Sequence, residues 1–229
     1  VKWFVNGKLN ITENIFERNL PTRRDQVALI WEPNDPKEKE IKLTYGQLFE
    51  KVCVVANALK KQGVGKGDRV AIYLPMVPEL PIAMLACARI GAVHSIVFAG
   101  FSATSLMDRI NDSQCKIILT ANGLFRGNKN VALKSIVDEA LVNCPSIEHA
   151  IVLRRTGDPI NMVEGRDIWW EDFLKGVSNE NTAEVMDSED TLFILYTSGS
   201  TGKPKGVLHT IGGFMVYAEY SFMNVFQYN

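Results

Sequence analysis

The residues best suited to chemistry stand together in the run Thr197-Ser198-Gly199-Ser200-Thr201-Gly202-Lys203-Pro204-Lys205-Gly206. Its three glycines let a backbone come close to a ligand and take conformations closed to other residues. The hydroxyls of Thr197, Ser198, Ser200 and Thr201 can each donate to a phosphate oxygen. Lys203 and Lys205 supply charge, and successive backbone N–H groups in such a turn form a concavity for anions. The composition suits the cradling of a polyphosphate. None of these residues is read as a nucleophile or a general base.

Two commoner phosphate loops do not fit. The Walker pattern G-x-x-x-x-G-K-[ST] requires glycine at position 197, which is Thr, and Ser or Thr at position 204, which is Pro. No G-x-G-x-x-G follows an expected strand, so a dinucleotide-binding fold has no support. A mobile Gly/Ser linker is also a poor reading, because the run is flanked by segments read as buried strands and contains no neutral repeat.

The elements that must position this loop alternate along the chain. Short apolar strands are expected at 26–31, 69–74, 94–98, 116–120, 150–153 and 191–196, with a return strand at 207–210. Helices are expected between them. Thr44 with Gln47 makes a capping-box pattern, Leu48, Val52, Val55 and Leu59 recur at helical spacing, and Gly63 supplies a stop. A second helix runs over 79–90, apolar nearly all round. A third follows Ser102 as N-cap to about 111, after a turn at 100–102, and a fourth spans 132–142. Residues 33–39 and the glycine-rich, basic stretch 122–130 read as loops. The segment 155–189 is the least regular, broken by Ile168-Trp169-Trp170. Gly212-Gly213 precedes a final aromatic helix. Strands separated by helices imply an α/β fold with mostly parallel sheets covered by helices.

Bulk properties exclude other classes. The 229 residues are 46% hydrophobic and 22% charged, with a formal net charge of -1, so no global field draws in nucleic acid or a membrane surface. No apolar run approaches the roughly 20 residues that span a bilayer. The four cysteines, Cys53, Cys87, Cys115 and Cys144, form no C-x-x-C pair and read as small buried hydrophobes. The start, Val1-Lys2-Trp3-Phe4-Val5, lacks the layout of a signal peptide, and the expectation is a cytoplasmic protein of which this is a fragment. His94 and His149 read as satisfied structural histidines; His209, beside the loop, has no assigned role. Phe214, Tyr217, Tyr220, Phe222 and Phe226 read as core or inter-helix contacts, and Trp169-Trp170 as packing.

The run T-S-G-S-T-G-K-P-K-G resembles the signature of the adenylate-forming superfamily, which includes acyl-CoA synthetases, luciferases and the adenylation domains of peptide synthetases. Trp3-Phe4-Val5-Asn6-Gly7, residues 67–73, residues 86–95 and Gly206-Val207-Leu208-His209-Thr210 resemble short-chain acyl-CoA synthetases, most closely the acetyl-CoA synthetases. The resemblance implies that Thr197, Ser198, Gly199, Ser200, Thr201, Gly202, Lys203, Lys205 and Gly206 hold the phosphates of ATP while acetate attacks the α-phosphate. It implies that CoA is bound through Gly100, Arg126 and Lys129, with Lys129 standing where many members carry arginine and so giving up the bidentate fork.

The same resemblance makes residues 1–229 the N-terminal part of an AMP-binding domain, with residues 1–40 as a leading segment containing a short helix and a loop. It puts the catalytic groups, the Mg²⁺ ligand, the adenine and acyl pockets and the lid domain outside this stretch, which is expected to be inactive alone. Propionate is the alternative acid, and a non-catalytic nucleotide- or CoA-binding module is the alternative of another class.

Overall fold

The computed structural model describes residues 2–127, 129–197 and 204–227. The chain opens with two short helices, α1 (Ile11–Ile15) and α2 (Leu20–Arg23), and an antiparallel ribbon of β1 (Val27–Trp31) and β2 (Ile41–Thr44). Helix α3 (Tyr45–Lys61) starts where its capping box sets it. Gln47 N donates to Thr44 Oγ1 at 3.2 Å, and Thr44 N donates to Gln47 Oε1 at 3.0 Å. Gly63, at φ +76°, supplies the left-handed stop.

Strands and helices then alternate: β3 (Arg69–Tyr73), α4 (Glu79–Arg89), β4 (Val93–Ile96), α5 (Ala103–Ser113), β5 (Ile117–Ala121). A small hairpin, β6 (Leu124–Arg126) and β7 (Lys129–Val131), interrupts before α6 (Leu133–Leu141) and β8 (His149–Leu153). Then come β9 (Asp167–Trp169), α7 (Trp170–Phe173), β10 (Thr191–Thr197), β11 (Lys205–Thr210) and α8 (Ile211–Asn224).

Seven strands form one sheet in the order β11-β10-β4-β3-β5-β8-β9, parallel throughout except for the antiparallel pair β10–β11. Strands β3, β5 and β8 are almost wholly buried. Their sequences are accordingly continuous apolar runs rather than alternating ones. Because β3 lies between β4 and β5, right-handed crossovers put α4 on the face opposite α5 and α6. Helix α3 joins α4, and α5 joins α6, so a helical layer covers each side.

Two buried polar groups fasten the leading segment to α4. Asn10 Nδ2 donates to the carbonyls of Ala88, Arg89 and Glu184 at 3.0 to 3.2 Å. Arg89, almost fully buried, donates to Glu17 at 2.7 Å, Thr12 Oγ1 at 3.2 Å and the Asn181 carbonyl at 3.1 Å. Each guanidinium edge thus finds an acceptor, as burial of the charge demands.

Several expectations need correction. The stretch 122–130 contains strands, not only loop: β6 and β7 pair Leu124 with Val131, Phe125 with Asn130 and Arg126 with Lys129. Gly212 and Gly213 lie inside α8, whose N-cap is Thr210, rather than before it. The return strand is an exposed edge strand, with Leu208 63% exposed, so only the first half of β10 flanks the loop with buried residues. Tyr217, Tyr220 and Phe222 on α8, and Phe226 just beyond its end, are exposed rather than core; Phe214 alone of the five packs inward, edge-on to Phe193 at 5.0 Å. Among the described residues, no helix is long and apolar enough to cross a membrane.

Candidate functional site

In an open parallel sheet, ligands gather outside the carboxyl ends of the strands, where the connections diverge from the first strand. Here those ends belong to β10, β4, β3 and β5. At roughly 4.8 Å between neighbouring strands, about 14 Å separates β10 from β5. Every candidate that the structure describes leaves the sheet on this rim. Helices α4 and α5 follow β3 and β4, so their positive N-terminal ends face it too.

The phosphate-loop residues divide between described and undescribed parts. Thr197 ends β10, and Lys205 faces it across the β10–β11 pair. Gly206 faces Tyr196, and a Cβ at Gly206 would lie 3.2 Å from the Tyr196 ring and 3.3 Å from Ile194 Cγ2. Ser198, Gly199, Ser200, Thr201, Gly202 and Lys203 lie outside the described residues.

On its β4 side the end of β10 is held by α5 rather than by a strand, while β11 pairs with it to Thr197. Pairing with β4 covers only Phe193 with His94 and Ile194 with Ser95. Beyond that, the Tyr196 hydroxyl donates to Asp112 Oδ2 at 2.6 Å and lies 3.4 Å from the Arg109 carbonyl. Burial, reinforced by the Asp112 carboxylate, raises the Tyr196 pKa, so the phenol stays protonated as a donor.

One strand over, the turn after β4 carries Gly100. Phe101 N donates to the Phe98 carbonyl at 3.0 Å, the Tyr73 hydroxyl donates to the Phe101 carbonyl at 2.6 Å, and Ser102 caps α5 through Ser105 N at 3.3 Å. A Cβ on Gly100 would fall 2.4 Å from Phe98 Cε1. Phe98 itself is 65% exposed and meets Phe101 edge-on at 5.7 Å.

Arg126 and Lys129 lie on the β6–β7 hairpin beyond β5, exposed and directly opposite each other. Neither makes an ion pair among the described residues. Gly127 enters the turn at φ +59°, a conformation that glycine adopts without strain. The hairpin is placed by Asn122, which composition alone did not mark. Its side chain accepts from the backbone N–H of Arg155 and Thr156 at 2.7 and 3.0 Å, and donates to the Thr156 and Asp158 carbonyls. Arg155 braces the outer side: it grips Glu38 with two bonds of 3.0 and 2.8 Å, and its guanidinium lies 4.8 Å from the Phe125 ring centre. Gly100 and the hairpin therefore share a rim, two strands apart, without a hydrogen bond or ion pair between them among the described residues.

The expectation of satisfied histidines fails for His94 and His149. His94 is buried, its Nδ1 has no hydrogen-bond partner among the described residues, and burial pushes its pKa down to about 4. His149 Nδ1 is likewise unpartnered. The neutral His94 ring stacks on Phe193 at 5.4 Å, and Phe193 stacks on His209 at 4.4 Å. The four cysteines are free and buried. Among the described residues no group of three or more His, Cys, Asp or Glu side chains converges as a cation requires. An apolar groove of about 720 Å³ between the leading segment and α8, lined by Ile11, Ile15 and Phe214, contains none of the candidate residues.

Comparison with known proteins adds a family. The model of the AMP-binding enzyme family matches residues 16–228. Acetyl-coenzyme A synthetase of Nostoc linckia is 57% identical over 228 residues, covering 100% of this chain and 67% of that protein. The acetyl-coenzyme A synthetases of Bdellovibrio bacteriovorus and Syntrophobacter fumaroxidans are 52% and 56% identical, covering all of this chain but only 36% and 35% of those proteins. Acetoacetyl-CoA synthetase from Streptomyces lividans superposes with a TM-score of 0.85 at 29% identity, over 94% of this chain and 32% of that one. The chain thus spans about a third of the length of most of these relatives, and two thirds of one.

Proposed function

The chain belongs to the AMP-binding enzyme family, and on that premise we propose that the protein is an acetate–CoA ligase working through an acetyl-adenylate. In the first step an acetate oxygen attacks the α-phosphorus of ATP, and the bond to the bridging oxygen of pyrophosphate breaks. In the second, the CoA thiol attacks the acetyl carbon, AMP departs, and the thiol proton is lost.

The carrying observation is that the ends of the phosphate-loop run and the cationic hairpin emerge on one rim of one sheet. The two anionic substrates can then approach from the same side. In this reading Thr197, Lys205 and Gly206, with the residues from Ser198 to Lys203, hold the ATP phosphates. Gly100 lets CoA lie against the turn after β4, and Arg126 with Lys129 takes its phosphates. Catalysis at these positions is a matter of placing and neutralising charge. Mg²⁺ would neutralise phosphate charge when bound with ATP, but the described residues do not converge as ligands for it and none is assigned.

The choice of acetate rests on the similarity to acetyl-coenzyme A synthetases, three of which, named above, are 52–57% identical to the chain. A cytoplasmic setting goes with this reading, in keeping with four free, buried cysteines. The test is exchange of labelled pyrophosphate into ATP by the full-length protein, with acetate against propionate. Acetate-dependent exchange that falls sharply in Thr201→Ala and Gly202→Leu is expected. Normal exchange in both variants would sink the loop assignment, and a preference for propionate would correct the acid.

A further inference from the structure

Arg109 sits where α5, the 98–102 turn and the end of β10 meet. Its residue surface is 8% exposed, yet no carboxylate pairs with it among the described residues. The other deeply buried cations are treated differently: Arg89 is paired with Glu17, and Lys134 with Asp138 and Asp167. The Arg109 guanidinium instead donates from Nη1 to the Ser105 carbonyl at 2.6 Å and faces two rings, Phe101 at 4.7 Å and Tyr196 at 5.5 Å. Burial lowers its pKa, but an arginine remains a cation throughout the working range. A cation desolvated between aromatic faces gains more from each than it would in water.

The two rings belong to different subsites. Phe101 follows Gly100, and its carbonyl is fixed by the Tyr73 hydroxyl. Tyr196 precedes Thr197, and its hydroxyl is fixed by Asp112, one turn after Arg109 on α5. Between them β10 has already parted from β4, so backbone pairing no longer relates the two strand ends. We propose that Arg109 is a positioning residue that mounts the Gly100 turn and the root of the phosphate-binding run on one helix, so that the CoA and ATP subsites keep a fixed mutual geometry. The inference rests on the reading of those two subsites given above. An ordinary core cation would support stability only; a shared mount affects both substrates together.

The test uses the full-length protein and the variants Arg109→Met and Arg109→Lys. Three quantities are measured: KM for ATP in acetate-dependent pyrophosphate exchange, KM for CoA in thioester formation, and the melting temperature. Arg109→Met is expected to raise both KM values about ten-fold, the scale of a desolvated cation–ring contact. Arg109→Lys, which keeps the charge but loses the planar face, is expected to recover part of both. A lower melting temperature with both KM values unchanged overturns the proposal, as does a change in one KM alone. Should Arg109→Met not fold, Phe101→Leu, Tyr196→Leu and their combination decide. Non-additive effects on the two KM values support the mount, and strictly additive ones overturn it. If the unmodified protein shows no exchange, the adenylation reading fails instead.

Discussion

Arg126 stands directly across the β6–β7 hairpin from Lys129, cation facing cation, with no carboxylate paired to either among the described residues. Like charges opposed on adjacent strands destabilise a pairing. An anion set between them removes that penalty and gains charge-assisted bonds.

Removing one of these charges therefore separates binding from stability. Arg126→Ala is expected to raise the KM for CoA by about ten-fold or more, on the scale of a charged hydrogen bond. Pyrophosphate exchange should hold and the melting temperature should stay level or rise slightly. Lys129→Ala should show a smaller effect, and Lys129→Arg should tighten CoA binding by restoring the fork. An unchanged CoA dependence in Arg126→Ala would remove the hairpin from the site.

His94 supplies a pH prediction. Its pKa is about 4 in the folded protein against 6.5 ordinarily, because burial disfavours the imidazolium. Between those values the unfolded chain holds more protons, so stability rises with pH across that window. The contribution is full above pH 6.5 and is lost as the pH falls towards 4. The shift corresponds to about 3 kcal/mol at most. Urea unfolding at pH 7.5, 6 and 5 should show the decline, and His94→Gln should flatten it. Equal slopes in both proteins would mean that another group drives the acid sensitivity.

Lys134 and Asp167 form a buried pair at 2.7 Å, with side chains 1% and 0% exposed, and Arg166 bridges Asp167 to Asp138. Burial alone would raise the Asp167 pKa, but hydrogen bonds from Arg166, Lys134 and Val163 N outweigh it and hold the carboxylate below its ordinary value. That stability is present above the ordinary carboxylate pKa and goes as the pH falls through the depressed one. Lys134→Met leaves the carboxylates short of a cation and is expected to cost about 3–5 kcal/mol. Chemical denaturation measures it, and a loss below 1 kcal/mol would show that Arg166 alone suffices.

The parts of this architecture that were legible in sequence are those set by local rules. Buried parallel strands show as unbroken apolar runs, and Thr44 with Gln47, like Ser102, writes its cap into the chain. The hairpin 124–131 was hidden because strands of three residues are too short to show alternation, and β9 for the same reason. Arg109 was invisible in another way. Tyr196 lies 87 positions away, and only the fold brings its ring to the guanidinium. The aromatic residues of the last stretch misled because residue type reports only an average tendency to burial, whereas Tyr217, Tyr220, Phe222 and Phe226 stand exposed.

Two glycines on the rim make opposite predictions from similar crowding. At Gly100 the clash, 2.4 Å, is with the Phe98 ring, which is 65% exposed and free to swing aside. At Gly206 the contact, 3.2 Å, is with the Tyr196 ring, which is held by its hydroxyl on Asp112 and lies beside Arg109. Neither glycine has a positive φ, so the constraint is space alone. Gly100→Ala should therefore leave the urea midpoint nearly unchanged and fall on the KM for CoA. Gly206→Val cannot be absorbed by a loose neighbour, and should cost about 1–3 kcal/mol, the range of overpacking at a fixed site. Its strain should also reach the root of the phosphate-binding run and slow pyrophosphate exchange. Equal stability losses in the two variants would mean that Tyr196 is no better anchored than Phe98.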